Sequence, residues 1–309
     1  MTQAGTEIKG ASRVAWVAPI RIWADMVKFA HTVFALPFAL MAAFLAARNL
    51  PNRTAPYAGQ AALILLCMIG ARSAAMTFNR IADARIDARN PRTQGRPLPA
   101  GRLSSTAAWA MFAAAVLVFL GGCALFKAVY ENPWPLRLSL PVLAALLGYS
   151  YAKRFTKWSH LWLGAGIGLA PAAAWIAVHP GSLGWGAGLL WLCVTCWIGG
   201  FDIIYACQDI DVDRREGLHS LPSRVGPARA LALARVLHAA AIVALVVLGA
   251  VEDLGVVYGA GVAASAVLLA VENNLVRPGA YEKVNVAFFT VNGVVSCVLA
   301  AAAILDVVR

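Results

Sequence analysis

Acidic side chains are scarce in this chain: 15 of its 309 residues are Asp or Glu, against 26 Lys and Arg. Charge of either sign is thin, at 13% where soluble domains carry about 25%. From Trp158 to Phe201 there is no Asp, Glu, Lys or Arg at all. A 61% hydrophobic chain this poor in charge is not an ordinary soluble domain, and an integral membrane protein is expected. A cleavable signal is not expected either, because Lys9 and Arg13 precede no short apolar core with a small-residue exit. The six cysteines (Cys67, Cys123, Cys193, Cys196, Cys207 and Cys297) all fall in apolar stretches, where Cys acts as a small hydrophobe. Cys193 and Cys196 form a C-x-x-C without a thioredoxin-like setting, so no redox or metal chemistry is read from them.

What the chain does have is a series of uncharged runs of spanning length. Phe29 to Ala47, Thr54 to Ala71, Leu103 to Phe126, Leu254 to Val271 and Val284 to Leu305 match the ~20 residues a membrane helix needs. The double-length run from Trp158 to Phe201 is divided by His179-Pro180-Gly181, a hairpin signal. Shorter runs at Leu138 to Ala152 and Val236 to Val251 bring the expectation to nine helices. These segments are too rich in Ala, Leu and Gly for barrel strands. The expected fold is an all-α integral membrane protein, with residues 1–24 a cytoplasmic tail and 25–309 one transmembrane domain.

Of the 26 basic residues, 19 lie in the N-terminal segment or in alternate loops, which places those segments in the cytoplasm. Much of the net charge of +11 is therefore topology, favourable beside the anionic lipid of a bilayer. Nucleic acid is not expected as a partner, because the basic residues are dispersed through short loops and no recognition fold appears.

The few acids are concentrated. Six of the 15 sit in NRIADARID (Asn79 to Asp87) and DIIYACQDIDVD (Asp202 to Asp213), both at cytoplasmic ends of apolar runs. Asp83 and Asp87 precede Asp209 and Asp213 by 126 residues, and each pair is followed by a basic loop holding Leu-Pro. That echo suggests two related halves, 25–152 and 158–309, with a site where they meet. On a helix, Asn79, Asp83 and Asp87 form a stripe on one face, and Asp209 and Asp213 a second. Two such stripes facing across a cavity offer hard oxygen ligands suited to Mg²⁺ and substrate phosphate. Either stretch alone is equally consistent with solvated helix-end acids paired with arginines. A cation-coupled transporter is a rival class, but its site should lie at the bilayer midplane. A membrane scaffold is a second.

The N-x-x-x-D-x-x-x-D of Asn79, Asp83 and Asp87, the D-x-x-x-D of Asp209 and Asp213, and YSYAK at Tyr149 to Lys153 together resemble the UbiA superfamily of intramembrane aromatic prenyltransferases. The resemblance runs from KFAHTVFALPFAL (Lys28 to Leu40) to the last apolar run. It implies nine transmembrane helices around a central cavity, and transfer of a polyprenyl chain from its diphosphate to an acceptor. It also implies that Asn79, Asp83, Asp87, Asp209 and Asp213 bind Mg²⁺, and that Arg96, Tyr149, Lys153 and Lys28 hold or polarise the diphosphate. Arg72 matches the position proposed to meet an aromatic acceptor, and Asp202 is its counterpart in the other half. EGLHSLPSRVG (Glu216 to Gly226) resembles a bacterial branch labelled 4-hydroxybenzoate polyprenyltransferase, some of which acts on a dihydroxynaphthoate. An aromatic carboxylic acid acceptor, quinone biosynthesis and the bacterial inner membrane are the resulting expectations, with the site opening to the cytoplasm. Two departures from the family pattern are Ser150 where Pro is frequent, and Asp211, an extra acid expected to point away from the ligands.

Overall fold

The computed structural model describes residues 20–27, 32–281, 284 and 290–309. Its helices are α1 (Thr32–Arg48), α2 (Ala58–Asp87), α3 (Ser105–Tyr130), α4 (Trp134–Ala152), α5 (Ser159–Val178), α6 (Trp185–Ala206), two short helices α7 (Ile210–Arg215) and α8 (Leu221–Val225), α9 (Pro227–Val251), α10 (Val256–Leu275) and α11 (Asn292–Val308). Residues 20–27 are helical as well. Among the described residues, six segments are long and apolar enough to cross a membrane: α2, α3, α5, α9, α10, and α6 with its continuation to Arg215. Helices α1 and α11 are shorter and apolar, and α4 has 19 residues. The chain is thus an all-α, multi-pass membrane protein, and six of the nine expected spans meet the length and composition of a crossing outright.

Local chemistry places the helix ends. Ser104 caps α3 by accepting the Ala107 amide at 3.1 Å, which satisfies one of the orphan donors of the first turn. Asn132, in the turn to α4, donates to the carbonyls of Ile176 and Ala177 at 2.8 and 3.1 Å, tying that turn to the end of α5. The expected hairpin is present as a 3₁₀ turn at Pro180–Ser182, held by Trp175 Nε1 donating to Ser182 Oγ at 3.1 Å.

Two packed bodies make up the bundle. Helices α2, α3 and α4 pack around Ala74, Ala115, Phe119, Cys123 and Leu143. The larger body centres on α6, whose span is 72% buried where that of α2 is 28% buried. Trp175, Leu190, Trp197 and Leu299 lie in its core, which α1, α5, α9, α10 and α11 complete. These bodies do not coincide with the sequence halves, because α1 packs on α5 and α11. Between the bodies lies the cavity described below.

Two features of the acid-bearing helices matter for that cavity. Helix α2 has 30 residues, about 45 Å, against a hydrocarbon thickness of about 30 Å. Its uncharged run is only the first part of the helix, and its last turns carry Asn79, Asp83 and Asp87 past the apolar layer. Helix α6 behaves differently. It ends at Ala206, tightens into a 3₁₀ turn at Cys207–Asp209 and restarts as α7, with Asp209 at φ −109°. The helix expected to run through Asp209 and Asp213 is therefore interrupted at Asp209, although both acids still line one cavity. The 3₁₀ turn changes the rotation per residue, and Asp209 is drawn to side chains of the 88–104 loop.

Helices α5 and α6 approach closely because small residues line their contact. A Cβ built on Gly164 would stand 2.3 Å from the Thr195 carbonyl oxygen, whereas one on Gly188 of α6 meets nothing within 4 Å. Gly164→Ala should therefore lower the unfolding temperature of the detergent-solubilised protein, at a cost of about 1–3 kcal/mol. Gly188→Ala should leave it level or higher, and equal melting of the two variants would contradict this packing.

Candidate active site

A cavity of about 740 Å³ opens between the two bodies. Its walls include Arg72, Asn79, Arg80, Asp83 and Asp87 from α2, Arg92 and Arg96 from the following loop, Tyr149 and Lys153 from the end of α4, and Asp202, Asp209 and Asp213. Every candidate site residue read from the sequence lines this one space, except Lys28, which lies outside the described residues. His31, which shares the start of the first apolar run with Lys28, also lies outside them. Asp211 is exposed and absent from the walls, as expected of an acid pointing away.

The α2 stripe stays intact because the helix is continuous to Asp87. Asn79, Asp83 and Asp87 are all buried, at 8%, 3% and 5% exposure. Buried carboxylates are costly unless paired, and each of the two is paired. Asn79 Nδ2 donates to Asp83 Oδ2 at 3.1 Å, while Lys153 Nζ and Arg154 Nη2 stand 3.5 and 3.3 Å from the Asp83 oxygens. Asp87 accepts Arg96 Nη1 on both oxygens at 2.7 Å, and Arg80 Nη1 lies 3.7 Å away.

Across the cavity, Asp209 is held by the same loop that supplies Arg96. Arg92 Nε donates to its Oδ1 at 2.9 Å and Nη2 to its Oδ2 at 2.5 Å, a bidentate fork. Asn90 Nδ2 adds a donor at 3.1 Å, and Arg92 Nη1 reaches the Tyr205 hydroxyl at 3.0 Å. Burial alone would lower the Arg92 pKa, but the hydrogen bond and charge of Asp209 outweigh it and push it up. Asp213 is buried on α7 at the cavity edge. Asp202 on α6 accepts from His160 Nδ1 at 2.7 Å.

Among the described residues, no three His, Cys, Asp or Glu side chains form a metal-binding cluster by themselves. The carboxylates are instead matched to arginine and lysine. Several of these partners were not singled out from the sequence: Arg80, Asn90, Arg92, Arg154 and His160. Arg80 and Arg154 carried a faint signal, each adjoining a motif residue. His160 carried none, since nothing in an uncharged run ties it to an acid 42 positions later.

A second cavity, of about 500 Å³, adjoins the first. Its lining is almost wholly apolar, from Ile64, Cys67 and Met68 on α2 through Phe119 and Phe126 on α3, Leu138 and Leu146 on α4, and Gly166 to Ala177 on α5. Ala35, Arg72, Met76, Tyr149, Leu163 and Ile167 belong to both cavities. Among the described residues the buried Arg72 Nε has no hydrogen-bond partner. The charged chamber and the apolar one thus share a wall at Arg72 and Tyr149.

Comparison with known proteins agrees with this geometry. The UbiA prenyltransferase family model matches residues 35–294. The 4-hydroxybenzoate octaprenyltransferase of Alkalilimnicola ehrlichii is 31% identical over 234 residues, 76% of each chain. That of Xanthomonas euvesicatoria is 34% identical over 209 residues, 67% of this chain and 66% of the other. Among solved structures, the apo form of a UbiA homolog from Aeropyrum pernix K1 superposes with a TM-score of 0.78 at 33% identity, covering 89% of this chain and 98% of that one. A UbiA homolog from Archaeoglobus fulgidus bound to GPP and Mg²⁺ shares the fold at 18% identity, with a TM-score of 0.70 and coverage of 93% and 100%. With the family match spanning most of the chain and both motifs on the walls of one intramembrane cavity, this chain belongs to the UbiA prenyltransferase family and is a membrane prenyltransferase.

Proposed function

We propose that this enzyme transfers a polyprenyl group from polyprenyl diphosphate to a ring carbon of 4-hydroxybenzoate, with Mg²⁺ as cofactor, in quinone biosynthesis. The observation that carries this reading is the shared wall at Arg72 and Tyr149. It sets a chamber of cations and carboxylates beside an apolar one of about 500 Å³, matching a substrate with a charged head and a greasy tail. The names of the curated relatives support the acceptor. Lys153 and the arginines that line the charged chamber support an opening to the cytoplasm of the inner membrane.

The donor set fits Mg²⁺. Asn79, Asp83, Asp87, Asp209 and Asp213 present amide and carboxylate oxygens along one cavity, and Mg²⁺ is usually held through one or two carboxylates together with substrate phosphate oxygens. When bound, the cation offsets the negative charge that collects on the departing diphosphate. The protein's own cations do the same from fixed positions. Arg96 and Lys153 contact diphosphate oxygens, Tyr149 donates its hydroxyl to them, and Lys28 joins on the strength of the resemblance. Such preorganised charge is commonly the largest catalytic contribution.

Bond changes then follow from the layout. The allylic C–O bond breaks and its electron pair leaves with the diphosphate. A ring carbon of the acceptor forms the new C–C bond, and the ring proton passes to the departing diphosphate, which restores aromaticity. Arg72 pairs with the acceptor carboxylate, for which its planar fork is suited. Asp202 accepts the hydrogen of the acceptor hydroxyl and so enriches the ring in electrons. The apolar chamber holds the tail and keeps water from the allylic cation.

Membranes containing the protein, given Mg²⁺ and a polyprenyl diphosphate, should form product with 4-hydroxybenzoate. Product with a dihydroxynaphthoate alone would transfer the assignment to that acceptor, and product with neither would overturn both. Asp83→Ala combined with Asp209→Ala should lower the rate by about 100-fold or more; wild-type turnover would refute the proposed ligand set. Arg72→Ala should raise the KM for the acid acceptor by about 10–100-fold, the value of a charge-assisted pair. Its KM for the diphosphate should stay level, and an unchanged acceptor KM would remove Arg72 from that role.

A further inference from the structure

His160 joins three elements at the cavity wall. It sits in the first turn of α5, is 5% exposed, and places Nδ1 2.7 Å from Oδ2 of Asp202 on α6. Its other ring nitrogen, Nε2, lies 3.2 Å from the backbone N–H of Leu221, the first residue of α8. The opening amides of a helix have no acceptor within the helix, so this N–H needs one from elsewhere. A backbone amide can only donate. Nε2 must therefore keep its lone pair, and the ring proton must sit on Nδ1, aimed at Asp202. The Leu221 amide thus selects the tautomer that makes His160 a hydrogen-bond donor to the carboxylate.

The contact depends on the close approach of α5 and α6. Gly199 lies one turn before Asp202, and a Cβ there would stand 2.9 Å from the Leu161 side chain and 3.6 Å from the His160 carbonyl. The Leu161 side chain could yield to a Cβ at Gly199, but at Gly164 of α5 a Cβ would meet backbone, 2.3 Å from the Thr195 carbonyl oxygen and 3.1 Å from the Gly199 nitrogen, so the bare backbone there lets the helices come this near. Among the described residues His160 supplies the hydrogen bond given to the Asp202 side chain, which is itself 26% exposed toward the cavity. One carboxylate oxygen is fixed and the other is left for a substrate.

We infer that His160 is a positioning residue: it sets the rotamer and hydrogen-bonding of Asp202 and couples them to the placement of α8. Asp202 is the group that touches the acceptor, and His160 acts through it. This inference rests on the role given to Asp202 under Proposed function, and it assigns His160 a part in acceptor use and none in diphosphate binding.

Steady-state kinetics of the full-length protein in detergent or liposomes separate these roles. His160→Ala should lower kcat/KM for the acceptor by about 10–100-fold, the usual effect of losing such a supporting partner. The KM for polyprenyl diphosphate should be unchanged. His160→Gln should recover most of the loss, because one amide offers a donor for Asp202 and an acceptor for the Leu221 N–H at about the spacing of the two ring nitrogens. That recovery also guards against a His160→Ala variant that merely folds poorly. Equal losses toward both substrates without recovery by His160→Gln would overturn the inference as a purely structural effect. If Asp202→Ala impairs acceptor use while His160→Ala does not, the positioning role is overturned and the role of Asp202 stands. If Asp202→Ala has wild-type acceptor kinetics, both fall.

Discussion

A carboxylate at the edge of a hydrocarbon layer is tolerated only when a cation or a set of donors compensates it, and this constraint organises the charged chamber. Asp83 and Asp87 are nearly inaccessible on α2, and each is met by a basic side chain from another part of the chain: Lys153 and Arg154 from the end of α4, Arg96 from the loop after α2. Asp209 is met by Arg92 of that same loop. One segment therefore clasps acids from both sides of the cavity. The pairing brings positive charge to the place where, on the proposed reaction, a diphosphate must be received and released.

That arrangement explains why acids and bases occur together in a chain otherwise poor in charge. Arginines bound to carboxylates stand in reserve: on the proposed reading the carboxylates would hold Mg²⁺ and the arginines would turn to the phosphate oxygens. On that reading each charge would keep a partner, as a bare ion at the membrane boundary would be costly. The adjoining apolar chamber serves the opposite need. Its lining is almost wholly apolar, with Ser139 the exception outside the shared wall, where on the proposed reading Arg72 and Tyr149 would mark the reacting end.

Much of this was legible in the amino-acid sequence, for identifiable reasons. Uncharged runs revealed most helices because a membrane imposes length and composition directly, and His179-Pro180-Gly181 marked a hairpin that is present. The α2 stripe was legible because four-residue spacing survives in an unbroken helix. The spacing did not foresee the 3₁₀ turn at Cys207–Asp209, which no residue between Ala206 and Ile210 announces, although Asp209 and Asp213 still line the same cavity. Partners remote in sequence were invisible for a different reason. Arg92 is one of several loop arginines, and only folding brings it to Asp209, 117 positions away. His160 meets Asp202 because glycines let two helices close up, a property of three-dimensional packing that spacing alone does not encode.

The central claim is that the two acidic stretches act as one metal and diphosphate site. Electron paramagnetic resonance of Mn²⁺, used in place of Mg²⁺ with an unreactive polyprenyl thiodiphosphate, tests it without turnover. The account predicts protein-bound Mn²⁺ in the presence of the analogue, lost on Asp87→Asn on one side of the cavity and equally on Asp213→Asn on the other. Full Mn²⁺ binding after removal of either stretch would contradict it.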